Sequence, residues 1–294
     1  MRNSLDMHII KIPITLILLF LFAFSASPMI MGTGYAKATT SQKNNLSYAD
    51  IADLSEAAPI IATVRVLSMK TVERPATEGA TAKIKYHLVT GKIESLIRGK
   101  DGLPSKVYFL IEKPKSAKTA NESANSGWQR NQTALIYAKQ GNQPSALQLV
   151  SRNAAQKWSA EAEATTRAVT TELLSANSPP QIIGIGDVFH VTGTIAGESE
   201  TQIFLKTITG SPVSISILHR PGNSIKWGVS LGEIVDDAAV PPTSNTLLWY
   251  RLACSLPTTL PLQSTDNLPV LDAEAARSDY RFVMESLGSC GRTL

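Results

Sequence analysis

Between Pro59 and Val150 the chain is broken by Gly, Pro and Asn too often to hold long helices, and this constrains the fold more than any other feature. Short runs rich in β-branched and aromatic residues alternate with those breaks, as strands joined by turns do. Ile60 to Leu67 reads as a largely buried strand that runs outward through Met69 and Val72. From Ala82 to about Ile97, the residues Ile84, Tyr86 and Leu88 alternate with Lys83, Lys85 and His87, and Gly91 is placed for a bulge or bend. Lys106 to Glu112, Thr133 to Ala138 and Ala146 to Val150 supply three further strands.

Helical signals flank this region. Ser47 is placed to cap a short helix bearing Tyr48, Ile51 and Leu54. Ser159 does the same for a helix to about Leu174, with Glu161 and Glu163 favouring its first turn, and Pro179-Pro180 stops it. A second β-rich stretch follows over Val188 to Thr194, Thr201 to Thr207, Val213 to His219 and Trp227 to Leu231. Thr243 or Ser244 starts a helix through Leu247, Leu248 and Leu252. Asp272 caps a last helix closed by Gly288.

The five N-terminal strands, with a long bent second one, resemble a small closed barrel of the oligonucleotide/oligosaccharide-binding (OB) type. The opening from Ala57 to Val66, the long strand and the Ile97-Arg98-Gly99 turn also resemble netrin- or TIMP-type barrels, whose cysteine staples are missing at the barrel's start here. A plain antiparallel sheet is the competing reading. The expected architecture is therefore α+β: residues 47–157 as a leading helix and OB-like barrel, 158–180 as a linking helix, and 181–294 as a second small antiparallel region with C-terminal helices.

Residues 1–38 have the layout of a secretory signal peptide: Arg2, His8 and Lys11, then an apolar run from Ile12 to about Phe24, then small residues ending in Ala36-Lys37-Ala38. Cleavage after Ala38 fits best, with a second candidate near Ser25-Ala26-Ser27. The competing reading is an uncleaved inner-membrane anchor over residues 12–35. Both place the body in the periplasm or outside the cell, with no stable membrane insertion if the leader is removed. Arg2, Lys11 and Lys37 against Asp6 account for half of the net charge of +4. The near-neutral remainder argues against a nucleic-acid partner. The only cysteines, Cys254 and Cys290, suit one disulfide in an exported chain. A buried thiol beside a free terminal one is the alternative, and their spacing is unlike that of a redox pair.

Few residues suggest chemistry. Beyond the leader the histidines are His87, His190 and His219, without metal-ligand spacing, so no metal or other cofactor is expected. Gly184-Ile185-Gly186 reads as a turn before a strand rather than a nucleotide loop. Ser199 lies in Gly197-Glu198-Ser199-Glu200, which departs from the nucleophile elbow at its last glycine. With His190 and Asp187 nearby in sequence it forms a candidate triad, against the reading that Asp187 and His190 simply share a strand. Glu198, Glu200, Glu233, Asp236 and Asp237 offer an acidic pair for glycosidic chemistry or ligands for calcium, against the reading of solvated acidic residues in turns, and calcium-loop spacing is missing. Trp227, Trp249 and Tyr250 form a candidate binding surface, or else core, as does Trp158 before the central helix.

As a block, Phe189-His190-Val191, Gly197 to Leu205, Trp227, Leu231 to Asp236 and Leu247 to Cys254 resemble a family of uncharacterised exported proteins from alphaproteobacteria such as sphingomonads. The likeness extends to Tyr48–Gly99 and to Cys290-Gly291. It implies a Gram-negative envelope location and carries no activity or site residue. The expected function is a noncatalytic or structural envelope module binding a protein or glycan partner. The alternative is a periplasmic hydrolase using Ser199 or an acidic pair.

Overall fold

Ser47 and Asp50 satisfy each other's backbone amides in a capping box, at 3.1 and 2.9 Å, and so start helix α1 over Tyr48–Ala57. The computed structural model describes residues 46–75, 81, 83–113, 127–232 and 239–294. The leader, the anchor alternative over residues 12–35, and Glu233, Asp236 and Asp237 lie outside the described residues. Residues Lys43–Leu294 form one compact unit.

After α1, the strands β1 (Ile60–Pro75) and β2 (Lys83–Arg98) run antiparallel for most of their length. Their pairing slips opposite Gly91, where a side chain would collide with Val64 Cγ1. The bulge anticipated there is therefore a packing requirement. Strands β3 (Lys106–Glu112) and β4 (Thr133–Gln140) pair with β2 and β1, and the three-residue β5 (Leu147–Leu149) and β6 (Ala155–Lys157) both pair with β4.

This sheet is not closed into a barrel, which overturns the OB-like expectation and the netrin- or TIMP-type likeness. Its strand order, β3-β2-β1-β4-β5, is an open path. Among the described residues the edges β3 and β5 form no ladder and are linked by a single bridge just before β5, Tyr108 to Ala146, where the Tyr108 N–H donates to the Ser145 carbonyl at 2.8 Å. Closure needs a continuous staggered ladder, and a strand as short as β5 does not provide one. The architecture is α+β with two antiparallel sheets and C-terminal helices.

Helix α2 (Ala160–Leu174) is capped by Ser159 as expected. The second sheet comprises β7 (Ile182–Thr192), β8 (Ser199–Thr207), β9 (Val213–His219) and β10 (Lys226–Leu231), in the order β10-β9-β8-β7. Gly184 and Gly186 lie inside β7 at its register shifts, not in a turn before it. Helix α3 (Leu247–Ala253) is capped by Thr246 rather than Thr243 or Ser244. A 3-10 turn at Leu262–Thr265 precedes α4 (Val270–Leu287). Pro269 stands at the N-cap of α4, so Asp272 falls inside its first turn, and Gly288 ends it at φ 72°. Among the described residues no helix is long and apolar enough to cross a membrane.

Apolar cores follow the two sheets. Val64, Val89, Phe109 and Ile136 fill one face of the first. Ile203, Ile215 and Ile217 of the second pack with Trp249, Tyr280 and Val283 from the C-terminal helices. Helix α1 serves both regions, with Ile51 in the second core and Leu54 against Ile61 and Tyr137 of the first sheet. Cys254 and Cys290 are disulfide-bonded, with Cα atoms 4.9 Å apart, tying the exits of α3 and α4 together.

Candidate functional site

Register brings the polar residues of β7, β8 and β9 to one end of the second sheet. His190 faces Thr201 across β7 and β8, Ser199 faces Thr192, and on its other side Ser199 faces His219 of β9. Directly opposed residues of an antiparallel pair project from the same face. His190, Thr201, Ser199 and His219 therefore share the face covered by α4.

Helix α4 answers with a carboxylate. Asp279 sits in its buried stripe beside Ala276, Tyr280 and Val283 and is 4% exposed. One oxygen, Oδ1, lies 2.6 Å from His219 Nε2, and the other, Oδ2, accepts from Thr201 Oγ1 at 2.5 Å. Thr201 Oγ1 is in turn 2.8 Å from His190 Nδ1. The proton directions follow from the donor inventory. An ionised carboxylate only accepts, so the Thr201 hydroxyl hydrogen points to Asp279 and its oxygen accepts from His190 Nδ1–H. His219 donates through Nε2–H for the same reason. In their neutral forms the two imidazoles thus have fixed tautomers, with the lone pairs left on His190 Nε2 and His219 Nδ1.

The β7–β8 turn completes an open cleft of about 720 Å³ beside this chain of hydrogen bonds. Thr192, Thr194, Ser199 and Ser278 line it with hydroxyls, and Ile195 adds the largest apolar side chain. Glu198 also lines it, its side chain lying over Gly193.

Of the expected triad, Ser199 and His190 both reach this cleft and Asp187 does not. Val188 and His190 are buried while Asp187 and Phe189 are exposed, so the alternation of β7 turns Asp187 to the opposite face. Asp279 occupies the position that Asp187 was expected to fill, and His219, not His190, stands opposite Ser199. An acidic pair is not formed by Glu198 and Glu200: Glu200 is exposed, and Glu198 alone enters the cleft. Both oxygens of Asp279 are engaged, one by His219 and the other by Thr201. Among the described residues no group of three or more His, Cys, Asp and Glu is placed to hold a metal ion.

The aromatic set belongs to the core. Trp227, Trp249 and Tyr250 are 8, 6 and 4% exposed. Trp249 Nε1 donates to the Leu287 carbonyl at 2.9 Å, and Tyr250 donates to Asp53 Oδ1 at 2.5 Å. Burial, followed by the negative Asp53, pushes the Tyr250 phenol well above its ordinary value. Trp158 is exposed and donates to Glu163.

Sequence reading missed Asp279. The signal was there in the stripe Ala276, Asp279, Tyr280 and Val283, where a carboxylate interrupts the apolar spacing of a helix. Buried carboxylates are uncommon unless paired, so such a position calls for a partner. No family model matches this chain, and no curated protein matches it.

Proposed function

We propose that this chain is an exported cell-envelope protein whose cleft beside Asp279 binds a hydroxyl-rich ligand of the glycan class. The observation that carries this reading is the chain of hydrogen bonds from His219 through Asp279 and Thr201 to His190, which holds two imidazoles in set tautomers beside a cleft lined by hydroxyls. Sugar hydroxyls both donate and accept. Neutral imidazole nitrogens, serine and threonine hydroxyls and the Glu198 carboxylate complement them without the cost of orienting side chains at binding. The basic, apolar leader and the oxidised Cys254–Cys290 pair support the envelope location.

Titration with mono- and oligosaccharides released from envelope preparations, followed by NMR, tests the binding. Saturable shifts of the His219 ring protons and of the amides in turn 193–198 are expected, and His219→Ala should abolish the amide shifts. Shifts confined to other surfaces, or none, would refute the cleft as the binding site. A protein partner is the second reading, favoured by Ile183, Phe189 and Val191, which are 64, 53 and 65% exposed on β7. Cross-linking in the periplasm that maps to these residues instead of the cleft would select it.

A further inference from the structure

We infer that the same cleft is hydrolytic, with Ser199 as nucleophile, His219 as general base and Asp279 as the residue positioning that base. The substrate class is an acyl ester of a sugar or other polyol hydroxyl. This rests on reading the cleft as the ligand site.

The argument begins with the imidazole. A serine hydroxyl is a weak nucleophile until a neighbouring base takes its proton, and that base needs a free ring nitrogen and a fixed orientation. His219 has both. Its Nε2–H is anchored on Asp279 Oδ1 at 2.6 Å, which leaves Nδ1 as the proton acceptor. Asp279 is itself anchored, because Thr201 donates to its other oxygen and His190 supports Thr201. A carboxylate held at both oxygens stabilises the imidazolium formed during reaction without taking its proton.

Ser199 is the direct cross-strand partner of His219. Such partners have Cβ atoms about 4.5–5.5 Å apart, close enough for a rotamer change to bring a hydroxyl to a ring nitrogen. Ser199 is half-buried and lines the cleft with His219, and none of the hydrogen bonds formed by the surrounding network engages its hydroxyl. Strand geometry positions both residues, so the pair is carried on rigid elements rather than on the turn.

The balanced reaction is ester hydrolysis. Ser199 Oγ bonds to the acyl carbon as its proton passes to His219 Nδ1, and the carbonyl oxygen takes up negative charge. The adjacent β7–β8 turn is closed by the amides of Gly193 and Glu198. Ala196 and Gly197 line the same cleft, their amides take no part in those two bonds, and that oxygen is assigned to them. Collapse breaks the bond to the leaving oxygen, which receives the proton from His219 and departs as the alcohol. Water then adds to the acyl-serine, giving its proton to the same nitrogen. That second adduct collapses with breakage of the bond between the acyl carbon and Ser199 Oγ, His219 returns its proton to Oγ, and the carboxylic acid leaves. The net change is ester plus water to acid plus alcohol.

The hydroxyl-lined walls suit the alcohol side of such an ester, and Ile195 offers apolar contact to a short acyl group. An ester is favoured over an amide because an alkoxide leaves with less protonation than an amine.

The test uses the full disulfide-bonded protein with a fluorophosphonate probe and p-nitrophenyl acetate, alongside an acetylated monosaccharide. One covalent adduct on Ser199, located by peptide mass, is expected. Ester turnover should fall at least 100-fold in Ser199→Ala and in His219→Ala. Asp279→Asn should change the pH profile of ester turnover as well as its rate, which a merely structural role would not do. Ser199 is only half-buried, so Ser199→Ala also serves as the folded reference if Asp279→Asn unfolds. Absence of both the adduct and Ser199-dependent turnover overturns the hydrolytic reading. If sugars still shift the His219 ring in that case, the binding reading stands alone. If they do not, both fail.

Discussion

Removing the disulfide gives the sharpest stability test. The cysteines are 36 residues apart, and between them lie the 3-10 turn and all of α4. For a loop of that size, the chain-entropy relation gives about 13 cal/mol/K of unfolded-state restriction, or about 4 kcal/mol at 25 °C. In the folded state, the tail beyond Cys290 has its own attachments. Arg292 pairs with Asp53 at 2.6 Å, while the Thr293 amide and hydroxyl and the Leu294 amide donate to Asp50. The Arg292 pair is half-exposed and contributes little alone. The Asp50 contacts keep the tail docked, so the loss should fall on the unfolded-state side. Cys254→Ala with Cys290→Ala, compared with the oxidised parent in urea, should lower stability by about 2–4 kcal/mol and raise the m-value, because the unfolded chain expands. At about 2–4 °C per kcal/mol for a domain of this size, the melting temperature should fall by roughly 4–16 °C. A loss below about 1 kcal/mol with an unchanged m-value would refute the reasoning. It would mean that the loop is already restricted in the unfolded chain or that the native bond carries compensating strain.

Two further outcomes follow from individual residues. Burial alone would raise the Asp50 and Glu56 carboxyls, but hydrogen bonds from Thr293 and Ser47 to the one, and from Arg251 and Gln181 to the other, hold both below their usual 3.8 and 4.5. Groups lowered in this way stabilise the fold above their unfolded values and lose that contribution as pH falls through the folded ones. Melting temperature should therefore drop below about pH 4, and Asp50→Asn with Glu56→Gln should flatten the decline; an unchanged slope would sink this assignment. Gly91→Ala should destabilise by about 1–3 kcal/mol in urea, since its methyl would be driven into Val64 Cγ1. A neutral result would show that the β1–β2 bulge can shift.

The strands and helices were legible because their signals are local: alternation along Lys83 to Leu88, the cap at Ser159, Gly288 at the end of α4. Barrel closure was not, because it depends on how β3 and β5 meet. Nothing in Leu147–Leu149 announces that so short a strand pairs with β4 and, among the described residues, forms no ladder with β3. The aromatic residues misled for a related reason: Trp249 and Tyr250 read equally well as surface or core until their polar tips are seen to reach Leu287 and Asp53.

The site shows which kind of inference fails. Asp187 was chosen as the acid because it is near His190 in the chain, yet period-two alternation already opposes the two. With Val188 and His190 inward, Asp187 must face outward with Phe189. Asp279 lies 89 positions from His190 by its number, on a different element. Its position in an apolar stripe is the stronger signal, because burying a charge is costly and demands partners. Those partners, His219 and Thr201, are themselves buried or half-buried polar residues of strands. Polar residues at buried positions on separate elements therefore point to one another across the fold, where neighbours in sequence often do not.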